Sequence, residues 1–98
     1  MPSVKYSAQA IADLKRIHDF LLTQDADVAK RAVSVIRGAL EKIAFMPERF
    51  RPVEGKIYHR EAIIDFGNSG YVARFRHLPS GDITIARIKH QKKEDDFQ

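Results

Sequence analysis

Apolar and polar positions change their period several times along the chain, and each change marks an element. Val4-Lys5-Tyr6 alternates and stops at Ser7, whose hydroxyl suits a helix N-cap, so the pattern predicts a short strand running into a helix. From Ala8 the apolar residues Ile11, Leu14, Ile17 and Leu21 recur at spacings of three and four. That is one stripe of an amphipathic helix, with Asp13, Lys15, Arg16 and Asp19 off the stripe. Gln24-Asp25-Ala26-Asp27 interrupts the period and supplies capping carboxylates. A second stripe follows through Val28, Ala32, Val35 or Ile36, Ala39, Leu40 and Ile43, and Pro47 stops it. Helices joined by so short a turn pack as an antiparallel hairpin. Gly38 inside the second helix costs about 1 kcal/mol against Ala, which marks it as a candidate for a close helix–helix or helix–sheet approach.

Beyond Pro47 the helical period is lost. Residues 47–58 hold Pro47, Pro52 and Gly55 among Glu48, Arg49, Arg51 and Lys56, a charged connecting loop. Glu61-Ala62-Ile63-Ile64-Asp65-Phe66 reads as a strand, and Gly67-Asn68-Ser69-Gly70 as a tight turn. Strands over 71–78 and 83–90 follow, separated by Pro79-Ser80-Gly81-Asp82. The expected order is β-α-α-β-β-β: an α+β fold with an N-terminal helical hairpin packed on a small antiparallel sheet. No internal repeat is present, and 98 residues make a single domain, 1–98.

Alternation separates the faces of the sheet. Tyr71, Ala73, Phe75 and His77 share the side suited to the helices, which leaves Arg74 and Arg76 on the open side. In the last strand Ile83, Ile85, Arg87 and Lys89 form one row, and Thr84, Ala86, Ile88 and His90 the other. A row that begins apolar and ends basic means that the strand leaves the core partway along, or that a bulge re-aims it. Arg74, Arg76, Arg87 and Lys89, with Arg60, Lys92 and Lys93, then form a cationic surface for a polyanion or an acidic protein. Charge alone is met as well by an ordinary solvated sheet face. No aromatic residue is interleaved as in an RNA-binding sheet.

Composition sharpens this picture. The net charge is +4, distributed as +1 over residues 1–48, +6 over 49–93 and −3 over 94–98, so the positive field belongs to the sheet half and ends in an acidic tail. With no Cys there is no disulfide, no thiolate metal site and no Cys nucleophile, and a reducing cytoplasm is the expected compartment. Neither a membrane span nor a signal-peptide core is expected. His59, His77 and His90 fall on separate elements without ligand-like spacing, so neither a metal nor another cofactor is expected. His18, near the apolar stripe of the first helix, reads as a partly buried helix residue. Glu61 and Asp65 share a strand face and are candidates for acid–base work, although solvated strand carboxylates are commoner. His90 beside Lys89, Lys92 and Lys93 is the one cluster with equipment for phosphodiester chemistry, an imidazole with cations for developing phosphorane charge.

The element order, the run Ile64-Asp65-Phe66-Gly67-Asn68-Ser69-Gly70-Tyr71-Val72-Ala73 and the closing Ile85-Ala86-Arg87-Ile88-Lys89-His90-Gln91-Lys92-Lys93-Glu94 resemble the RelE/ParE superfamily of bacterial type II toxins, and its ParE branch in particular. The resemblance covers essentially the whole chain. It implies a growth-inhibiting toxin with no catalytic residue of its own that poisons DNA gyrase; the alternative is a RelE-like ribosome-dependent mRNA endonuclease using Arg87, Lys89 and His90. Positions that carry Arg, Arg and Tyr or His in that nuclease branch correspond here to Val72, Gln91 and Phe97, which lack a guanidinium and a titratable group. A third alternative is an inactive toxin that survives as a binding partner. The target-binding residues implied are Arg74, Arg76, Arg87, Lys89, His90, Lys92 and Lys93, with 92–98 as a contact segment. A ParD-like antitoxin is the expected partner, in a higher-order heterocomplex. Its acidic, amphipathic segment would cover Ile17, Leu21, Arg74, Arg76 and Arg87.

Overall fold

The computed structural model describes residues 4–92. In chain order they form β1 (Val4–Tyr6), α1 (Ala8–Leu22), α2 (Ala26–Lys42), β2 (Arg51–Pro52), β3 (His59–Phe66), β4 (Ser69–His77) and β5 (Ile83–His90). The strands make one five-stranded sheet in the order β1-β5-β4-β3-β2. The pairs β2–β3, β3–β4 and β4–β5 are antiparallel, as hairpin connections require, whereas β1 lies parallel to β5. The sheet is therefore mixed and has one strand beyond those the sequence pattern marks. Arg51-Pro52 carries no alternation to reveal β2, and only its pairing with Arg60 and Glu61 defines it.

Both helix starts follow from side-chain caps. Ser7 Oγ accepts the Ala10 N–H at 3.0 Å, and Asp25 Oδ1 accepts from Asp27 and Val28. The core lies between the hairpin and one sheet face, where Ile17, Ile36, Leu40 and Ile43 meet Ala62, Ile64, Tyr71, Ala73, Phe75, Ile83, Ile85 and Ile88. Each large side chain so buried contributes roughly 1.5–3 kcal/mol of transfer free energy. In α2 it is Ile36 that enters the core, while Val35 stays exposed.

The buried face of α1 is rotated from the expected stripe. Ile11 is 58% exposed, and Ala10, Asp13 and Ile17 face inward. Backbone hydrogen bonding explains the rotation, because Asp13 turns toward β5 and accepts from its main chain. Gly38 also departs from expectation, since a Cβ built there would meet nothing within 4 Å. By contrast, a Cβ at Gly70 would collide with the Ile64 carbonyl, so the close β3–β4 approach requires glycine there.

A bulge in β5 decides between the two readings of that strand. Arg74 faces Arg87 and Phe75 faces Ile85, leaving Ala86 as the extra residue. Ile83 and Ile85 point inward before the bulge and Ile88 after it, so the strand remains in the core along its length.

Candidate functional site

The sheet face turned away from the helices collects the cations. Register places His59, Glu61 and Ile63 of β3 beside Arg76, Arg74 and Val72 of β4, and Arg74 and Val72 in turn beside Arg87 and Lys89 of β5. Glu61 sits between two guanidinium groups: its Oε2 accepts from Arg74 Nε at 2.9 Å and its Oε1 from Arg51 Nη2 at 2.9 Å. Burial pushes its carboxyl up, but the bonds from Arg74 and Arg51 outweigh that and hold it below the usual range. Glu61, a candidate with Asp65 for acid–base work, is thus an ion-pair clamp whose two oxygens are engaged by Arg74 and Arg51. Lys89 is buried, whereas Arg76 is exposed and has no ion-pair partner among the described residues.

Arg87 is tied to the helical hairpin. Asp13 Oδ2 accepts from Arg87 Nε at 3.0 Å and from the Ile88 N–H at 2.8 Å, and Oδ1 accepts from Arg16 Nη2 at 3.2 Å. Burial alone would raise the Asp13 carboxyl; the bonds from Arg87, the Ile88 N–H and Arg16 prevail and hold it below its ordinary value. Sequence periodicity missed Asp13, because an acidic residue between apolar neighbours reads as solvated. Its signal is a carboxylate at the helical positions that also hold Ala10 and Ile17.

His90 stands on the other side of the sheet from Arg87 and Lys89. Its ring packs edge-on against Tyr71, with centroids 5.4 Å apart. Nδ1 accepts the Lys92 backbone N–H at 3.1 Å, so the neutral ring carries its proton on Nε2, which faces Ser69 Oγ at 3.1 Å. His90 also lines an apolar groove of about 520 Å³, with Ile17, Phe20 and Leu21 of α1 opposite Phe66 and Tyr71. The residues named from sequence therefore separate. Ile17, Leu21 and His90 belong to the groove, and Arg74, Arg76, Arg87 and Lys89 to the opposite face. Lys92 is exposed in the turn after β5. Lys93, Phe97 and the rest of the acidic tail lie outside the described residues.

Among the described residues there is no cluster of His, Asp and Glu that could hold a metal ion, and no helix long and apolar enough to cross a membrane. The described residues present an apolar groove on one side of the sheet and a basic face on the other.

A helical hairpin on one face of a small mixed sheet is the fold of the RelE/ParE superfamily. The chain superposes on a chain of the chromosomal ParDE toxin–antitoxin system from P. aeruginosa with a TM-score of 0.78 and 26% identity, covering 92% of this chain and 96% of that one. The intact E. coli RelBE toxin–antitoxin complex shares the fold, with a TM-score of 0.61, 10% identity and coverage of 95% and 100%. In sequence the chain is 32% identical to Toxin RelE3 of Caulobacter vibrioides over 92% of its length and 95% of that protein. It is 34% identical to Toxin RelE1 of the same organism over 90% and 91%. Residues 4–95 match the family described as the ParE toxin of the type II toxin–antitoxin system, parDE. The chain belongs to this family and is the toxin component of a type II toxin–antitoxin system.

Proposed function

We propose that this toxin acts in the cytoplasm on DNA gyrase, docking its basic sheet face on the gyrase–DNA complex so that the cleaved-DNA state persists and replication stops. The observation that carries this reading is the engagement of His90. Both ring nitrogens are used within the fold, by the Lys92 N–H and by Ser69, so the imidazole that sequence reasoning offered for phosphodiester chemistry is occupied structurally. Val72 and Gln91, at places where the nuclease branch carries arginine, support the same conclusion. The target supplies the catalysis, and this chain supplies the surface.

A ParD-like antitoxin silences the toxin in a higher-order complex. Its acidic, amphipathic segment buries apolar residues in the groove of Ile17 and Leu21 and neutralises the positive field of Arg74, Arg76 and Arg87. The second reading is a ribosome-dependent mRNA endonuclease, favoured by the names of the Caulobacter relatives. It would draw its imidazole from His59, whose Nδ1 faces the Ile57 carbonyl at 2.9 Å and whose Nε2 has no partner among the described residues.

Purified toxin incubated with gyrase and plasmid, beside a translating extract, separates the two. Inhibited supercoiling with intact message is expected. Message cut at defined codons with normal supercoiling would transfer the function to the nuclease reading.

A further inference from the structure

Strand pairing aligns side chains across the sheet, and on the face turned from the helices it builds two rows of polar residues. One runs Arg51, Glu61, Arg74 and Arg87. The other runs Lys5, Thr84, Arg76 and His59, one residue from each of β1, β5, β4 and β3. Each member of this second row is placed on the open face independently, because its neighbours along the strand turn inward. Val4 and Tyr6 flank Lys5 and pack against the core, Ile83 and Ile85 flank Thr84 and are buried, and buried Phe75 precedes Arg76. In β3 the Tyr58 carbonyl accepts the His77 N–H at 2.8 Å, so Tyr58 keeps step with Ala62 and Ile64 on the helix side. His59 keeps step with Glu61 on the open side.

The two rows differ in how their charge is compensated. Carboxylates hold the guanidinium groups of the first: Asp13 takes Arg87 at 3.0 Å, and Glu61 takes Arg74 and Arg51 at 2.9 Å each. The second row contains no carboxylate. Lys5 and Arg76 are exposed, and neither makes an ion pair among the described residues. His59 Nδ1 lies 2.9 Å from the Ile57 carbonyl, so Nε2 is the nitrogen left for a ligand. Neighbouring strands stand about 4.8 Å apart, so the row crosses about 14 Å of sheet with its two cations about 10 Å apart.

We infer that Lys5, Thr84, Arg76 and His59 bind the phosphodiester backbone of duplex DNA, with Arg76 and Lys5 each taking a phosphate and the Thr84 hydroxyl donating between them. A straight row of donors without an acid suits a polymer of evenly repeated negative charge. An acidic peptide anchors through buried aromatic or apolar contacts, and neither row supplies them. Without Phe, Tyr or Trp, the rows also lack the platform on which single-stranded bases stack, which leaves the backbone of a duplex. The site deepens the gyrase–DNA reading, on which its choice of DNA over RNA rests, by assigning this end of the face to the DNA and not to the enzyme.

The test uses the full chain, free of antitoxin, and the fluorescence anisotropy of a labelled duplex of about 20 base pairs between about 50 and 200 mM salt. Lys5→Ala and Arg76→Ala are each expected to weaken binding about fivefold and to lower the slope of log K against log salt by about 0.9, with the Tm unchanged. Arg76→Lys should keep the slope, because the charge remains. Thr84→Val, which preserves the branched shape, should weaken binding about threefold at unchanged slope. Lys30→Ala removes the same charge from α2 and should bind as the wild type does; equal weakening there would reduce the effect to net charge and overturn the site. The inference is also overturned if the wild type fails to bind the duplex, or if the double variant Lys5→Ala, Arg76→Ala binds as tightly as the wild type. Displacement of the DNA by duplex RNA or a Glu/Asp-rich peptide at equal or lower concentration overturns it as well. Inhibited supercoiling without duplex binding removes this site and leaves the gyrase reading standing; duplex binding with unaffected gyrase does the reverse.

Discussion

The two edges of the sheet are finished in opposite ways. At the β5 edge, β1 pairs with Ile83, Thr84 and Ile85, and the Ser7 N–H and hydroxyl reach the carbonyls of Ile85 and Ala86 at 2.9 Å. Where β1 ends, α1 takes over: Asp13 accepts the Ile88 N–H, and the Arg16 guanidinium lies 3.4 Å from the Ile88 carbonyl. At the β3 edge, β2 pairs only with Arg60 and Glu61. The bond from Val53 N–H to the His59 carbonyl sets the parity, so Ile63 and Asp65 also turn their backbone groups outward, beyond the reach of β2. Ile63 is 50% exposed and Val35 42%, and the adjacent groove includes the bare backbone of Gly38. An open strand edge beside apolar surface invites another chain. The β5 edge is thus supported from within the chain, and on the proposed antitoxin reading the β3 edge is a place for a partner segment.

The largest effect is expected at the closed edge. Asp13→Ala leaves Arg87 and the Ile88 N–H without their acceptor and should destabilise the toxin by about 3 kcal/mol, measured by urea unfolding, with faster amide exchange at Ile88. The pH dependence has a definite sign. Because the folded carboxyl is held below its ordinary value of 3.8, its contribution is present above that pH and disappears as pH falls through the lowered value. Asp13→Asn keeps an oxygen acceptor, removes the charge and should flatten the acid side of the stability profile. An unchanged profile would mean that Asp13 does not carry the edge.

The same contrast shows what the sequence makes legible. The helical hairpin, the strand directions after residue 59 and the inward set Tyr71, Ala73 and Phe75 follow from periodicity and turn chemistry, because local pattern and burial agree there. Where long-range contacts decide, the pattern misleads. Asp13 is buried by a bond to a residue 75 positions away, and Ile11 is turned outward in consequence. The β5 bulge is a two-strand property, visible from one strand only as an apolar row that becomes basic. Tyr58 sits in a stretch that reads as a charged loop, and its neighbour His59 meets Arg76 only through strand pairing.

Two substitutions of intermediate size probe each side of the comparison. Arg87→Ala, at a position that charge patterning assigns to target binding, should lower stability by about 1–2 kcal/mol in urea, because its guanidinium completes the Asp13 clamp. No loss would detach Arg87 from the closed edge. At the open edge, Gly38→Ala should raise the stability of the free toxin by about 1 kcal/mol, since the added methyl meets nothing in this chain. A bulkier Gly38→Leu should leave folding intact and weaken antitoxin binding at least about tenfold by calorimetry, if a partner segment lies over that helix. Unchanged antitoxin affinity would show the β3 edge to be bare in the complex.

The smallest expected effect on stability is the most informative about function. Arg76 makes no ion pair among the described residues, so Arg76→Ala should change the unfolding free energy by no more than about 0.5 kcal/mol. Growth inhibition at equal protein level should nevertheless fall, because an exposed guanidinium on the basic face is available to a target in a way that the clamped Arg87 is not. The two arginines then dissociate: Arg87→Ala acts through the fold, Arg76→Ala through docking. Should Arg76→Ala inhibit growth as strongly as the wild type, the open face is not the toxic surface, and the groove beside His90 becomes the place to search for it.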